Sequence, residues 1–235
     1  MKVLIIGGAG YVGKMIIPLL KERHQLRVFD LVPPADVALE FVQGEVNNNE
    51  AAVAVAMAGV EGVVYLAMGK DDKNNIELVG PAYDVNVKGV HRACRAALTA
   101  GAKRFVYMST LSIYGGPGDR HFGSEDEPGD SPGIYGFTKF LGEEVLRHFC
   151  LRHGLNGIAL RLNWPVPNDQ WEETVKKTPG CGATAGDDLA RAVLAALACE
   201  HTGFEAVFIT GDHAGRKFNP AKAKRLLGWE AQRRA

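Results

Sequence analysis

The chain has 235 residues, 46% of them apolar and 23% charged, which supports one packed domain with a small appendage and excludes a disordered chain. Lysine plus arginine balances aspartate plus glutamate at 27 each, so no global field draws the protein to nucleic acid or an anionic membrane. Cys94, Cys150, Cys181 and Cys199 stand apart with no C-x-x-C pair, and no apolar stretch nears the roughly 18 residues of a membrane span. These features argue against a zinc cluster, a disulfide framework and a membrane anchor, and they predict a cytoplasmic protein with reduced thiols.

A continuous apolar run at residues 3–6 predicts a strand, and residues 11–23 have helical spacing with Val12, Ile16, Leu19 and Leu20 on one side. Strands are then predicted at 26–29, 40–42, 62–66, 104–108, 157–162 and 206–210. Helices are predicted at 50–57, 82–100, 135–153, 187–199 and 220–227. Strands alternating with helices mean βαβ units, and unbroken apolar strands mean a parallel sheet covered on both faces. The expected fold is therefore α/β, a Rossmann-type doubly wound parallel sheet with a small C-terminal substrate lobe. Residues 1–162, completed by 187–210, form the cofactor domain in this reading, and 163–186 with 211–235 form the lobe. The irregular stretches 68–79, 115–133, 163–186 and 211–219 follow strands closely and are the natural substrate walls. The basic cluster 222–234 carries a helical apolar pattern and reads as a solvated helix face and tail.

Gly7, Gly10 and Gly13 lie between the first strand and the first helix. Glycines there permit a tight turn and close backbone approach to a pyrophosphate, which the helix N-terminus attracts through free N–H groups and its dipole. Tyr11 and Val12 lie inside the same turn. Asp30 ends the second strand, where an acid can hold both ribose hydroxyls and repel a 2′-phosphate. No Arg or Lys follows at Leu31 or the next three residues, which favours NAD over NADP.

Tyr135 and Lys139 stand at i and i+4, one turn apart on one helix face. A neighbouring cation favours the phenolate, so Tyr135 could exchange a proton with a hydroxyl or ketone at working pH. The strand at 104–108 runs into Ser109 and Thr110, which puts hydroxyls at the C-terminal sheet edge.

These pieces together resemble the extended short-chain dehydrogenase/reductase family, in its nucleotide-sugar epimerase/dehydratase group. Gly7–Gly13 looks like the family's cofactor turn and Asp30 like its ribose acid. Gly44-Glu45-Val46 is similar to its Gly-Asp-Leu/Val element beside the adenine, with Glu45 in place of Asp. Tyr65-Leu66-Ala67, with Met68 after it, and Asn86-Val87-Lys88-Gly89 match the end of its fourth strand and the helix that follows. The stretch Ser109-Thr110-Leu111-Ser112-Ile113-Tyr114-Gly115 is similar to its Ser-Ser-x-x-Val-Tyr-Gly, which implies a catalytic hydroxyl on Thr110 and a cofactor contact at Ser109. Tyr135 and Lys139 match its catalytic pair. Asp188–Arg191 and Ala223–Trp229 look like its late helix and C-terminal signature. The resemblance implies a homodimer built by the two long helices; Met68, Leu111, Ser112, Arg161 at a strand end and Asn163 are the candidates for substrate contact, and no metal is expected.

Family members commonly carry a larger C-terminal lobe than the stretch between Arg161 and Asp187 allows here, so a small sugar or sugar acid is the expected partner. The short C-terminal half is similar to the uronate dehydrogenases, which have an Asn-His pair where this chain has Leu111-Ser112. Sugar dehydratases follow the Thr with an acidic pair, and Leu111-Ser112 cannot serve as one. The expected function is NAD-dependent oxidation or reduction at a sugar hydroxyl or ketone. An NAD-dependent epimerase and a non-catalytic NAD-binding regulator are the alternatives. His121 and His213 are further candidates for substrate contact, Trp164 and Trp171 for ring stacking, and Asp187 with Asp188 for a helix cap.

Overall fold

The computed structural model describes residues 1–69, 79–116 and 120–233. The expected walls at 68–79 and 115–133 lie partly outside the described residues, as does Arg234 of the basic cluster. The first half runs β1 (Lys2–Ile6), α1 (Tyr11–Leu20), β2 (Gln25–Asp30), β3 (Glu40–Gln43), α2 (Glu50–Met57), β4 (Gly62–Tyr65), α3 (Gly80–Tyr83) and α4 (Val90–Ala100). The second half runs β5 (Arg104–Thr110), α5 (Ile134–His153), β6 (Gly157–Leu162), β7 (Pro165–Val166), α6 (Asn168–Lys177), β8 (Thr184–Ala185), α7 (Gly186–Ala198), β9 (Phe204–Ile209) and α8 (Ala221–Leu227).

Seven strands form one parallel sheet in the order β3-β2-β1-β4-β5-β6-β9. Side chains alternate along each strand, and both faces are apolar. Val3, Ile5, Val106 and Leu160 pack with α1, α7 and α8, while Leu4, Ile6, Phe105 and Tyr107 pack with α2, α4 and α5. Burial on both faces is what turns the strand sequences into continuous apolar runs. The chain winds outward from β1 to β3, then crosses back to β4 on the other side of β1. The crevice beyond the C-terminal ends of β1 and β4 is this sheet's ligand position.

Two expectations need correction and one is refined. The helix expected at 82–100 is continuous from Gly80 to Ala100, but its middle, Asp84–Gly89 between α3 and α4, is π-helical. Asn86 lies in that segment, fully buried, and hydrogen-bonds out of the helix, a demand that periodicity does not reveal. The stretch 163–186 is not irregular, since β7, α6 and β8 give it a two-stranded sheet and an apolar cluster of Val166, Trp171, Ala183 and Ala185. The tail does not belong to that lobe. Ala223, Trp229 and Ala231 are buried in the main core, and Trp229 Nε1 donates to Asp188 O at 2.9 Å.

Candidate active site

Between β1 and α1 the backbone turns through Gly7 at φ +85°, whose N–H donates to Phe29 O at 2.8 Å. A Cβ on Gly7 would stand 2.5 Å from Ala67 N, and one on Gly13 would stand 2.0 Å from Gly8 O. Neither residue can carry a side chain at this approach. Gly10 begins α1 with no side-chain cap and is exposed, so the turn presents bare backbone beside an open helix N-terminus. That donor set fits a pyrophosphate. The Asp30 carboxylate accepts the N–H of Ala9 at 2.8 Å and of Leu31 at 2.7 Å, so it braces the turn from the end of β2. Leu31 beside it is exposed. Tyr11 is exposed and its hydroxyl donates to Pro165 O at 3.3 Å, which links the turn to the lobe.

Other expected cofactor residues take varied positions. Glu45 accepts the Asn48 side-chain amide, and Val46 is buried in the core. Leu66 and Met68 line the crevice, whereas Ala67 packs against Gly7. Asn86 acts as a brace: its Oδ1 accepts the Gly69 N–H at 3.1 Å, and its Nδ2 donates to Thr138 Oγ1 at 2.9 Å.

The catalytic candidates converge. Ser109 and Thr110 end β5, and Leu111–Ile113 form a 3-10 turn that Thr110 Oγ1 caps by accepting the Ser112 N–H at 3.0 Å. Tyr135 sits in the first turn of α5, with Lys139 one turn later. A Cβ on Gly136 would lie 1.9 Å from Ser112 O, so only glycine lets α5 come down on the 3-10 turn. Thr110, Leu111, Ser112, Tyr135 and Lys139 consequently line one crevice of about 910 Å³, with Val12 of the glycine turn also on its wall. Burial pulls the Lys139 ammonium down to about 7, against the Glu143 carboxylate, which pulls it up. Its Nζ stands 4.4 Å from the Tyr107 ring centroid, an attractive cation–π geometry while the amine is charged.

Arg161, expected to bind substrate, is not among the residues that line the crevice. It is 4% exposed, and its guanidinium donates to Glu143 at 2.7 Å, Tyr114 Oη at 2.6 Å and Glu125 O at 2.7 Å. Burial works hardest against its charge, yet Glu143, Tyr114 and Glu125 together outweigh it and raise its pKa. Asn163 lines the crevice, but its amide nitrogen is committed to Cys181 O and Gly182 O at 3.0 Å each. Trp171 is 7% exposed inside the lobe, whereas Trp164 stands 49% exposed on the crevice wall. His121 and His213 bond the carbonyls of Arg216 and Arg233 and are not among the crevice-lining residues. Asp187 and Asp188 lie in the first turn of α7, where Asp188 also accepts the N–H groups of Gln232 and Arg233 and so docks the tail.

Two residues of the site escaped the sequence reading. Tyr107 lies beneath Lys139, and Glu143 takes the Ser109 hydroxyl and pairs with Arg161 at 1% exposure. The spacing Tyr135, Lys139, Glu143 repeats every four residues, and that stripe was the available signal. A second hollow of about 610 Å³, between α2 and α4, holds none of these groups.

The model of the NAD dependent epimerase/dehydratase family matches residues 3–169. A 3-beta-hydroxysteroid dehydrogenase of Mycolicibacterium neoaurum is 34% identical over 161 residues, which is 62% of this chain and 42% of that protein. A UDP-glucose 4-epimerase of Neisseria meningitidis serogroup C is 26% identical over 159 residues, 62% of this chain and 47% of that protein. The matched regions span less than half the length of these relatives. The solved structure of uronate dehydrogenase from Agrobacterium tumefaciens has the same fold, with a TM-score of 0.82 at 24% identity, over 100% of this chain and 85% of that one.

Proposed function

The chain belongs to the NAD dependent epimerase/dehydratase family, and on that footing we propose that it oxidises or reduces one hydroxyl or ketone of a small sugar or sugar-like compound. The observation that carries this reading is the meeting of Thr110, Tyr135 and Lys139 in one crevice that also borders the glycine turn. Gly7, Gly10, Gly13 and Asp30 would hold NAD at the turn, and when bound it supplies a two-electron acceptor for one hydride. Tyr135, as phenolate, takes the hydroxyl proton during oxidation and returns it during reduction. Lys139, while charged, stabilises that phenolate from one turn away. The Thr110 hydroxyl orients the substrate oxygen, and Ser109, tied to Glu143, fixes the strand end beneath it. Relatives named for UDP-glucose and for a hydroxysteroid support a ring hydroxyl as the reacting group.

The test is the NADH absorbance band after mixing protein, NAD and a panel of aldoses, uronic acids and nucleotide sugars. Growth of the band with one member supports a dehydrogenase. Isomerised product with co-purified NAD and no net NADH favours the epimerase reading instead. Firm NAD binding with no conversion of any member counts against catalysis.

A further inference from the structure

Tyr107 lies under α5, and the chain makes room for it there. It stands within β5, fully buried, and its ring centroid is 5.8 Å from that of Tyr65 on β4. Its hydroxyl donates to Lys139 O at 3.4 Å. A Cβ on Gly142 would stand 2.3 Å from that hydroxyl oxygen and 2.5 Å from Asn86 O, so glycine admits the phenol between α5 and the π-helical segment.

The ring so fixed turns toward Lys139, whose Nζ stands 4.4 Å from its centroid at 2% exposure. An ammonium kept from water loses hydration, and the negative face of an aromatic ring returns part of that loss. Glu143 also favours the ammonium, but its carboxylate is shared: Arg161 donates to it at 2.7 Å, and so does the Ser109 hydroxyl. A desolvated cation–π contact is worth roughly tenfold or more between ammonium and amine, or about one pH unit. Burial has already drawn this amine down to about 7, so one unit decides whether it is charged at neutral pH.

Among the described residues, the ionisable groups facing Lys139 are Tyr135 and Glu143 on α5 and Tyr107 on β5. Arg161 of β6 is bound to Glu143, and Tyr114 to Arg161. Asp84 and Lys88 of the π-helical segment pair with each other at 3.6 Å, about half exposed. On α4, Arg95 reaches Glu50 of α2 at 2.8 Å, and burial pushes the Cys94 thiol up, which keeps it uncharged. Glu205 of β9 pairs with Lys222 at 2.8 Å. A change confined to the ring at position 107 leaves all of them in place.

We propose that Tyr107 is a positioning residue for the reaction: its ring face holds the Lys139 ammonium charged and in place, one turn from Tyr135. The contact stands on its own, and its catalytic consequence rests on the hydride-transfer reading above.

The test follows the ε-carbon resonance of Lys139 with pH in protein labelled with ¹³C at lysine, assigned by its loss in Lys139→Met. The wild-type midpoint is expected near 7. Tyr107→Leu is expected to lower it by about one unit, and Tyr107→Phe, which keeps the ring, to leave it within about 0.3 unit. Should the leucine protein fail to fold, a Tyr107→Phe protein with a perfluorinated ring keeps the shape, removes the negative face, and is expected to show the same drop. On a substrate that wild type converts, kcat of the ring-depleted protein is expected to be about fivefold lower at pH 7 and within about twofold at pH 5.5, where both amines are charged. A midpoint unmoved by loss of the ring face, or moved as far by Tyr107→Phe, overturns the contact. A shifted midpoint with kcat depressed equally at both pH values overturns the positioning role. No turnover of any substrate by wild type that binds NAD overturns the hydride-transfer reading, while the midpoints still decide the contact.

Discussion

Replacing Lys139 by methionine keeps an unbranched side chain, one atom shorter, and removes its charge. Lys139 is 2% exposed, and burial lowers its pKa from 10.5 to about 7. In the unfolded chain the amine keeps its ordinary value. Between pH 7 and 10.5 the unfolded state therefore holds more protons, and wild-type stability rises with pH. Below pH 7 both states are charged and the folded protein bears the whole penalty, on the order of 5 kcal/mol at about 1.4 kcal/mol per pH unit. At pH 9 roughly 2 kcal/mol of it is left. Lys139→Met is thus expected to gain over wild type by about 3 kcal/mol more at pH 6 than at pH 9. Packing differences between the two side chains cancel in that comparison. Urea unfolding of both proteins, without nucleotide, at the two pH values reads the quantity. A gain equal at both values, or a variant weaker at pH 6 than at pH 9 relative to wild type, refutes the burial argument.

Glu143→Gln leaves Arg161 as a buried cation without its partner and is expected to destabilise the fold by about 3–5 kcal/mol, measured by the same unfolding assay. A loss under about 1 kcal/mol would mean that the pair contributes no more than an exposed one. Gly13→Ala drives a Cβ to 2.0 Å from Gly8 O, so calorimetric titration is expected to show NAD binding lost; binding within twofold of wild type would contradict the close-approach argument. The long helices α4 and α5, with Phe137 and Leu151 exposed on α5, are expected to pair two copies of the chain. Light scattering at micromolar concentration should give the dimer mass, and a monomer rejects the pairing.

Legibility from sequence divides along a physical line. The sheet and its helices were readable because burying both strand faces demands continuous apolar runs, and Val3–Ile6 or Gly157–Leu162 can hardly be anything else. The glycine turn was readable because Gly7 and Gly13 do what no residue with a Cβ can do. Tyr135 and Lys139 were singled out by spacing and Thr110 by the family resemblance, and all three line one crevice. What escaped depends on tertiary partners. Arg161 ends a strand at the ligand edge, and only the position of Glu143 turns it inward. Asn86 sits in a π segment and bonds Gly69 and Thr138, and neither is a neighbour in sequence. Trp164 and Trp171 look alike in the chain, yet one is lobe core and the other crevice wall. The lobe helix α6 was missed because its polar sequence offers Trp171 as its one buried residue, too little for a periodic pattern.

The central claim is that Tyr135 moves the substrate proton beside a cofactor held at the glycine turn. It is tested most directly by comparing Tyr135→Phe with wild type, measuring NAD affinity and NADH formation on whichever substrate wild type converts. Affinity within about threefold and turnover reduced by about a thousandfold is the predicted result, since general acid–base catalysis contributes about 10²–10⁴-fold and the proposed phenolate would supply all of it. Turnover within tenfold of wild type would contradict the account.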